Sequence, residues 1–548
     1  MSVHKRSFLE CVGPACAFFD SLYWKAQKRR QGLRTPKNYV KFFIFITLFC
    51  YSCVAAETST QRSALLASLE PTSLRQHLAF YQLYRETPEA AEALRRGWTL
   101  LCSSQKNKND GPCSLSYNGI QQIVSLLGDS SLNAFTPIPE QDIRLINTLA
   151  SHLPNRKLRG YLIEEEDQLV DLPPEDIDIS QAVLLSQGIK ANPQRMASYK
   201  ASLDLMALQI LARVGLEASP IEKINAINTF IFDELGYRFP PHSLYAKEID
   251  RYTFLSSIID QREGVCLGVT ILYLSLAQRV GLPLEIITPP GHIYVRYWTP
   301  TYHINIETTA RGVHLDDKTY LGVNTRTLSK RSLKEVVGMI HYNQASVYWM
   351  RKEYDKVEEC YKKAYPYLTY DLRLQELMAF NALMLGRKEE GFQLLRALEQ
   401  KVEDDEVARD PFAQDILDFA LDQDSIAAVM MAVDETRSSI LKKKAALEES
   451  LKKFPNVRSL HFHLAATLMQ LNREREGLQE LKIYHHLDPN NPTVEYYLAV
   501  LSAQRKNYPD AWFHLRRAEM IAGIRGYQPH VLKELRRELS ILYPKSNN

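Results

Sequence analysis

The chain has 548 residues, enough for about three domains, and its 45% hydrophobic and 24% charged residues exclude a mostly disordered, collagen-like or polytopic membrane protein. Its net charge of +3 is unevenly placed: residues 1–41 hold nine Lys/Arg against two Asp/Glu, and the remainder holds 58 against 62. A slightly acidic body excludes generic nucleic-acid binding, which needs a basic surface to displace counterions from phosphate, and no nucleic-acid partner is expected.

The basic block runs into residues 42–56, fifteen residues without a charge. That is short of the ~20 apolar residues needed to span a bilayer as a helix. It suits a secretory hydrophobic region, and Val54, Ala55 and Ala56 offer small residues for cleavage. Residues 1–56 are therefore expected to be a basic leader with a signal peptide or an uncleaved signal anchor, touching the membrane only through 42–56. The body would then be exported or membrane-anchored on the periplasmic, extracytoplasmic side. Four of the eight cysteines (Cys11, Cys16, Cys50, Cys53) lie in this leader. Cys102 and Cys113 flank a polar loop, which a disulfide would close, or they are two unpaired helix ends. Cys266 and Cys360 are left over, and an unpaired thiol in an oxidising compartment points to chemistry.

Residues 57–178 read as a helical N-terminal region. Thr72 precedes a stripe at Leu74, Leu78, Tyr81 and Leu83, and Thr87 with Pro88 starts a helix over 89–101. Eight acidic residues in 164–178 suggest a solvated acidic linker. Residues 179–330 form the next unit. Tyr199, Leu203, Met206, Ile210 and Val214 mark one helix face, ended by Gly215. Ser219, Pro220 and Glu222 form a capping box, and the helix it opens stops at Gly236. A helix over 266–280 is closed by Gly281. Strands follow over 284–288, 291–298 and 302–308.

The unit over 179–330 carries the residues that suggest chemistry. Cys266 starts a helix, where open backbone N–H groups and the helix dipole favour thiolate and can hold an oxyanion. His292 and Glu307 lie on successive strands. A hairpin pairing them directly centres its turn between Thr299 and Pro300, with Ile293 opposite Ile306 and Asn305 on the catalytic face. Nucleophile, base and orienting acid then lie in the order that thiol catalysis needs. Lesser readings are a metal pair of His303 with His292, an oxyanion donor at Gln261, and pocket walls at Tyr252, Tyr294 and Arg296. Cys266 and Cys360 lack metal-ligand spacing, so no metal and no cofactor are expected.

At 264–273, 281–284, 290–292 and 304–312 the sequence resembles the transglutaminase-like superfamily, and within it the SirB1-type branch. The resemblance implies a papain-like α+β core, a cysteine helix on an antiparallel sheet, with Cys266 as nucleophile, His292 as base and Glu307 as orienter. The acid is usually Asp in that branch, so Glu307 is a longer substitute.

From 335 to 545 the chain reads as all-helical. Ala345 and Ala379, Val357 and Gly391, Ala465 and Ala499, Gly477 and Ala511, and Pro455 and Pro489 are each 34 residues apart. Small residues recur where two helices cross, and proline where the second ends. Over 335–400 and 455–525 the chain resembles tetratricopeptide repeats, whose period this is, and 400–454 is out of phase. The resulting expectation is an exported thiol enzyme. It would cleave or transfer a peptide or glutamine amide through an acyl-enzyme, with a protein or peptide partner in the repeat groove. The alternative is a non-catalytic assembly factor whose core is a scaffold.

Overall fold

The computed structural model describes residues 58–102, 138–240, 248–399, 401, 405–434 and 436–543. The leader, Cys113 and the side chain of Cys102 lie outside the described residues, and with them the expected export signal and loop closure. Among the described residues, no helix is long and apolar enough to cross a membrane.

The N-terminal helices span Ser59–Ser68, Leu74–Leu83 and Pro88–Cys102, followed by Glu140–Leu149. Ser73 rather than Thr72 caps the second, its side chain accepting from Gln76 N–H. Thr87 Oγ1 accepts from Ala90 N–H at 3.2 Å, as the threonine–proline start requires.

The acidic stretch 164–178 exposes Glu164, Glu165, Asp167, Asp171 and Glu175 as a solvated segment does, but it is anchored to the core. Leu169, Leu172 and Ile177 stand between the acids and are buried. Asp178 is also buried and caps helix Ile179–Ser186, its Oδ1 accepting from Gln181 N–H at 2.9 Å. Burial alone would raise its pKa, yet Arg279, Ser180 and Asn155 together hold it below the ordinary carboxylate range. Glu166 Oε1 lies 2.5 Å from the buried His341 Nε2 on helix Leu333–Met350, the first of the C-terminal helices. Most of the charges face solvent, and the apolar residues between them fix the packing.

Helix Pro193–Val214 ends at Gly215, and Ser219 and Glu222 form a full capping box at the start of Pro220–Asn228. That helix continues through one π turn, Thr229–Glu234. Helix Cys266–Val280 closes on Gly281 in the left-handed region. A four-stranded antiparallel sheet has the order β3-β2-β1-β4, with β1 Glu285–Thr288, β2 Tyr294–Trp298, β3 His303–Ile306 and β4 Ser329–Arg331. The fourth strand was not foreseen, because Ser329, Lys330 and Arg331 carry no apolar alternation; they pair with the far edge of β1.

Two features lock the cysteine helix in place. At its C-terminal end the fully buried Arg279 Nε donates to Asp204 Oδ1 at 2.8 Å, and Arg156 also pairs with Asp204. Near its start, a Cβ on Gly268 would lie 2.3 Å from Ile258 Cδ1 and 2.4 Å from the Tyr252 carbonyl oxygen. The carbonyl is backbone and cannot swing away. Gly268→Ala is therefore expected to cost about 1–3 kcal/mol, read as a lower denaturant midpoint. An unchanged midpoint would mean the two segments are not in contact.

The C-terminal helices stack as hairpins. Tyr354–Ala364 and Lys388–Leu398 start 34 residues apart, as do Arg458–Gln470 and Pro492–Gln504, and Glu474–Leu487 and Tyr508–Ile524. The small residues sit at the crossings: a Cβ on Gly391 would meet Leu383 at 2.6 Å and the Ala379 carbonyl oxygen at 3.1 Å, and one on Gly477 the Ala465 carbonyl oxygen at 3.1 Å. The out-of-phase part holds Phe412–Phe419, Gln423–Met430 and Arg437–Lys453. One hydrophobic cluster runs from Leu74 through the cysteine helix to Leu468, so the core and the first repeats share one interior.

Candidate functional site

The β2–β3 hairpin differs from the expected register by two residues. Val295 pairs with Ile306, Arg296 with Asn305, Tyr297 with Ile304 and Trp298 with His303. The turn is therefore Thr299–Tyr302, with Thr299 N–H donating to the Tyr302 carbonyl at 2.9 Å. The Thr299 hydroxyl also accepts from Tyr302 N–H at 3.0 Å. Proline fits the first central position of such a turn, which moves its centre one residue beyond the place expected. Ile293 thus does not face Ile306. A slip of two leaves every side chain on its expected face, because side chains alternate with period two.

His292 and Glu307 meet across this diagonal. His292 Nε2 donates to Glu307 Oε2 at 2.6 Å, with both side chains only 2% exposed. Diagonal neighbours on a sheet are ~7–8 Å apart. The imidazole and the glutamate side chain together bridge that distance, the methylene that glutamate has over aspartate adding to the reach. His292 lies in a tight turn, its N–H donating to the Pro289 carbonyl at 3.0 Å, with Gly291 at φ +64° supplying the left-handed residue.

Glu307 is held on all sides. Thr309 donates to Oε1 from its hydroxyl at 2.6 Å and its N–H at 3.1 Å, and the Tyr320 hydroxyl donates to Oε2 at 2.6 Å. Burial alone would raise the carboxyl pKa, but His292, Thr309 and Tyr320 bring it below its ordinary value. An ionised Glu307 fixes the His292 proton on Nε2.

Sequence reasoning missed Tyr320. Its ring stacks on His292 (centroids 5.9 Å, 15°) and on Tyr294 (4.7 Å, 23°). Burial and the Glu307 charge push its phenol pKa well above the ordinary value, so it stays a donor. No local motif marks it; the loop 313–320 brings it home. Asn305 does not join His292 but pins that loop, its Nδ2 donating to Leu315 O at 2.7 Å and Asp317 Oδ1 at 2.6 Å. Arg296 donates to the same Asp317 oxygen at 2.6 Å and to Asn305 Oδ1 at 2.8 Å. Tyr320→Phe is expected to cost about 1.5–3 kcal/mol, the range for a hydrogen bond to a charged group. Thermal unfolding checks it, and an unchanged midpoint would remove Tyr320 from the site.

Cys266 begins its helix after Val265, with no side chain capping that end, and is 2% exposed. One turn on, Thr270 Oγ1 lies 3.0 Å from Thr308 Oγ1 and 3.5 Å from the Ile293 carbonyl oxygen. Those partners directly follow Glu307 and His292. Residues four apart share a helix face, so Cys266 stands ~6 Å along the same face. Cys266 is disulfide-bonded in this structure, contrary to the unpaired thiol expected of it. Its sulfur must be reduced before it can attack a carbonyl. Cys360 is a free cysteine, buried in a repeat helix, and burial pushes its thiol up to about 11.

The lesser candidates fall elsewhere. His303 Nε2 lies 3.5 Å from Asp317 and forms no pair with His292. Gln261 is exposed and its Oε1 accepts from Arg251 at 3.1 Å. Tyr252 is buried and packs with Val265. A cluster not foreseen lies in the last repeats. His485 and His514 place Nδ1 2.5 and 2.8 Å from the two oxygens of buried Glu495, and Arg517 Nε is 3.4 Å away. Their ligand atoms lie close enough to hold a metal ion, but each carboxylate oxygen already bonds one imidazole nitrogen, with Arg517 as an ion-pair neighbour.

Residues 197–335 match the family model of the transglutaminase-like superfamily. The chain carries a transglutaminase-like domain. This domain holds His292, Glu307, Tyr320 and the cysteine helix. Among curated proteins, the UPF0162 proteins of Xylella fastidiosa strains Temecula1 and 9a5c are each 30% identical over 74 residues. That stretch is 14% of this chain and 25% of theirs, so the match spans a quarter of those relatives. Among solved structures, yeast Tom70 is 11% identical, covering 88% of this chain and 85% of its own, with a TM-score of 0.20. The Cut9–Hcn1 hetero-tetramer is 12% identical, covering 87% and 91%, at 0.19. Scores this low carry no argument, and the repeat architecture rests on the helix hairpins themselves.

Proposed function

We propose that the transglutaminase-like domain is a thiol enzyme acting on amides, with Cys266 as nucleophile, His292 as base and Glu307 as orienter. The reduced Cys266 sulfur attacks the carbonyl carbon of a peptide or glutamine side-chain amide. The C–N bond breaks, His292 passes its proton to the leaving nitrogen, and the thioester is released to water or to an amine. Glu307 keeps the imidazole in one tautomer and stabilises its charged form. The observation that carries this reading is the buried His292–Glu307 pair beside the face of the cysteine helix. Residues 42–56 support action on the extracytoplasmic side, and the helical repeats support selection of a protein or peptide partner. The sequence at 264–273, 281–284, 290–292 and 304–312 supports placement in the SirB1-type branch.

The test uses reduced full-length chain, peptide amides and glutamine donors, and release of ammonia or amine as readout. Turnover lost in Cys266→Ser supports the reading; equal turnover in both overturns it. The disulfide on Cys266 favours a second reading, an assembly factor whose core only supports the repeat array. That reading gains if Cys266→Ser leaves the cellular phenotype unchanged while truncation at residue 335 abolishes it.

A further inference from the structure

The segment after Tyr320 leaves the core, reaches the far repeats and returns. Tyr320 and Leu328 both pack with Ile287 and Tyr294 on the core. Between them, Val323 is buried in the cluster of the last repeats, with Ala465, Tyr484, Tyr496 and Leu498. The Tyr527 hydroxyl donates to the Gly322 carbonyl at 3.1 Å, and Arg326 Nη1 donates to the Arg525 carbonyl at 3.3 Å. On the other side the tongue adds a short strand to the loop after the Lys388–Leu398 helix. Arg326 N–H donates to Asp405 O, Val407 N–H donates to Asn324 O, both at 2.8 Å, and Thr325 bridges Glu406 antiparallel. Asn324 reads Ala408 twice, donating to its carbonyl and accepting from its N–H, each at 2.8 Å.

These contacts are unlike those within a solenoid, where each repeat touches only its neighbours. Loop 405–408 and turn 525–527 are far apart in the chain, yet the tongue touches both and Arg525 Nη2 donates to the Glu406 carbonyl at 3.3 Å. Main-chain pairing, one buried aliphatic and one doubly bonded amide are how an extended peptide is read by strand addition.

We propose that the repeat array has a peptide-binding site between loop 405–408 and turn 525–527, and that Gly322–Arg326 of this chain is its resting internal ligand. The partner it fits is an extended peptide segment with a β-branched residue, then Asn, then Arg two residues further on. Asn is specified by the paired backbone groups of Ala408, the aliphatic by the apolar wall, and Arg by the Arg525 carbonyl. This rests on the reading of the repeats as a protein-binding array and is independent of chemistry at Cys266.

The test uses a fluorescent peptide of residues 319–330 and the full chain. A tongue tethered at both ends acts at an effective concentration on the order of millimolar. It therefore weakens a peptide of ~10 μM affinity on the order of 100-fold. Val323→Asp with Asn324→Ala is expected to free the site, bind the peptide far more tightly than the wild type, and raise hydrogen exchange at the Val407 amide. Asn324→Ala alone, a milder variant, is expected to fall between. Equal binding by wild type and variants overturns the proposal. So does absence of binding when the Val407 amide exchanges freely, a result that leaves the array open to partners of other chemistry.

Discussion

Asp204→Ala is expected to destabilise the chain by about 3–5 kcal/mol, the largest effect of any single substitution at the core. Asp204 and Arg279 are both fully buried, and Arg156 reaches the same carboxylate from a more exposed position. Removing the acid leaves Arg279 buried without the carboxylate it bonds, and only the charge of Asp178 nearby still faces it. Its guanidinium retains a bond to the Ser275 carbonyl at 3.0 Å, which cannot balance its charge. The cysteine helix then loses its tie to helix Pro193–Val214. The desolvation argument makes a second forecast: Asp204→Leu combined with Arg279→Met costs less than Asp204→Ala alone, because apolar partners need no charge balance. Urea denaturation of the three chains checks both. A double variant no better than the single would mean that the pair does more than neutralise itself.

Glu307→Gln is expected to cost about 3 kcal/mol near pH 7 and to lower any thiol reactivity of Cys266. The carboxylate takes hydrogen bonds from His292, Tyr320 and both Thr309 donors, and an amide brings a donor to a place that supplies only donors. The effect has a pH signature. The folded-state pKa of Glu307 is depressed, so its contribution is complete above the ordinary carboxylate range and fades as pH falls through the folded value. The gap between wild type and Glu307→Gln should therefore narrow in acid. Thermal unfolding from pH 3 to 7 measures it; a gap constant with pH would mean that Glu307 is neutral in the folded chain.

Much of the fold was legible because local rules agree with the packing. The Ser219 capping box, the Gly215 and Gly281 stops and the 34-residue spacings each mark a real boundary or crossing. The solvated charges of 164–178 were legible, but its anchoring was not, because eight charges hide three buried aliphatics. The fourth strand was missed because an edge needs only backbone groups. At the site, the pairing of His292 with Glu307 followed from alternation, which fixes the face. The register did not follow, because turn geometry at Pro300 sets it. Tyr320 was invisible, since it reaches Glu307 through a loop ordered by Asn305, Asp317 and Arg296, and the tongue beyond it depends on contacts as far as Tyr527. The disulfide on Cys266 also ran against the sequence reading, which had assigned it an unpaired thiol.

The central claim is that a reduced Cys266 is activated by the His292–Glu307 pair. Alkylation of Cys266 after mild reduction, followed from pH 4 to 10 in wild type and His292→Ala, tests it most directly. The account predicts fast alkylation by the wild type already below the ordinary thiol pKa near 8.5, and a shift of the variant's profile to higher pH. Identical profiles, both rising only above pH 8.5, would contradict it.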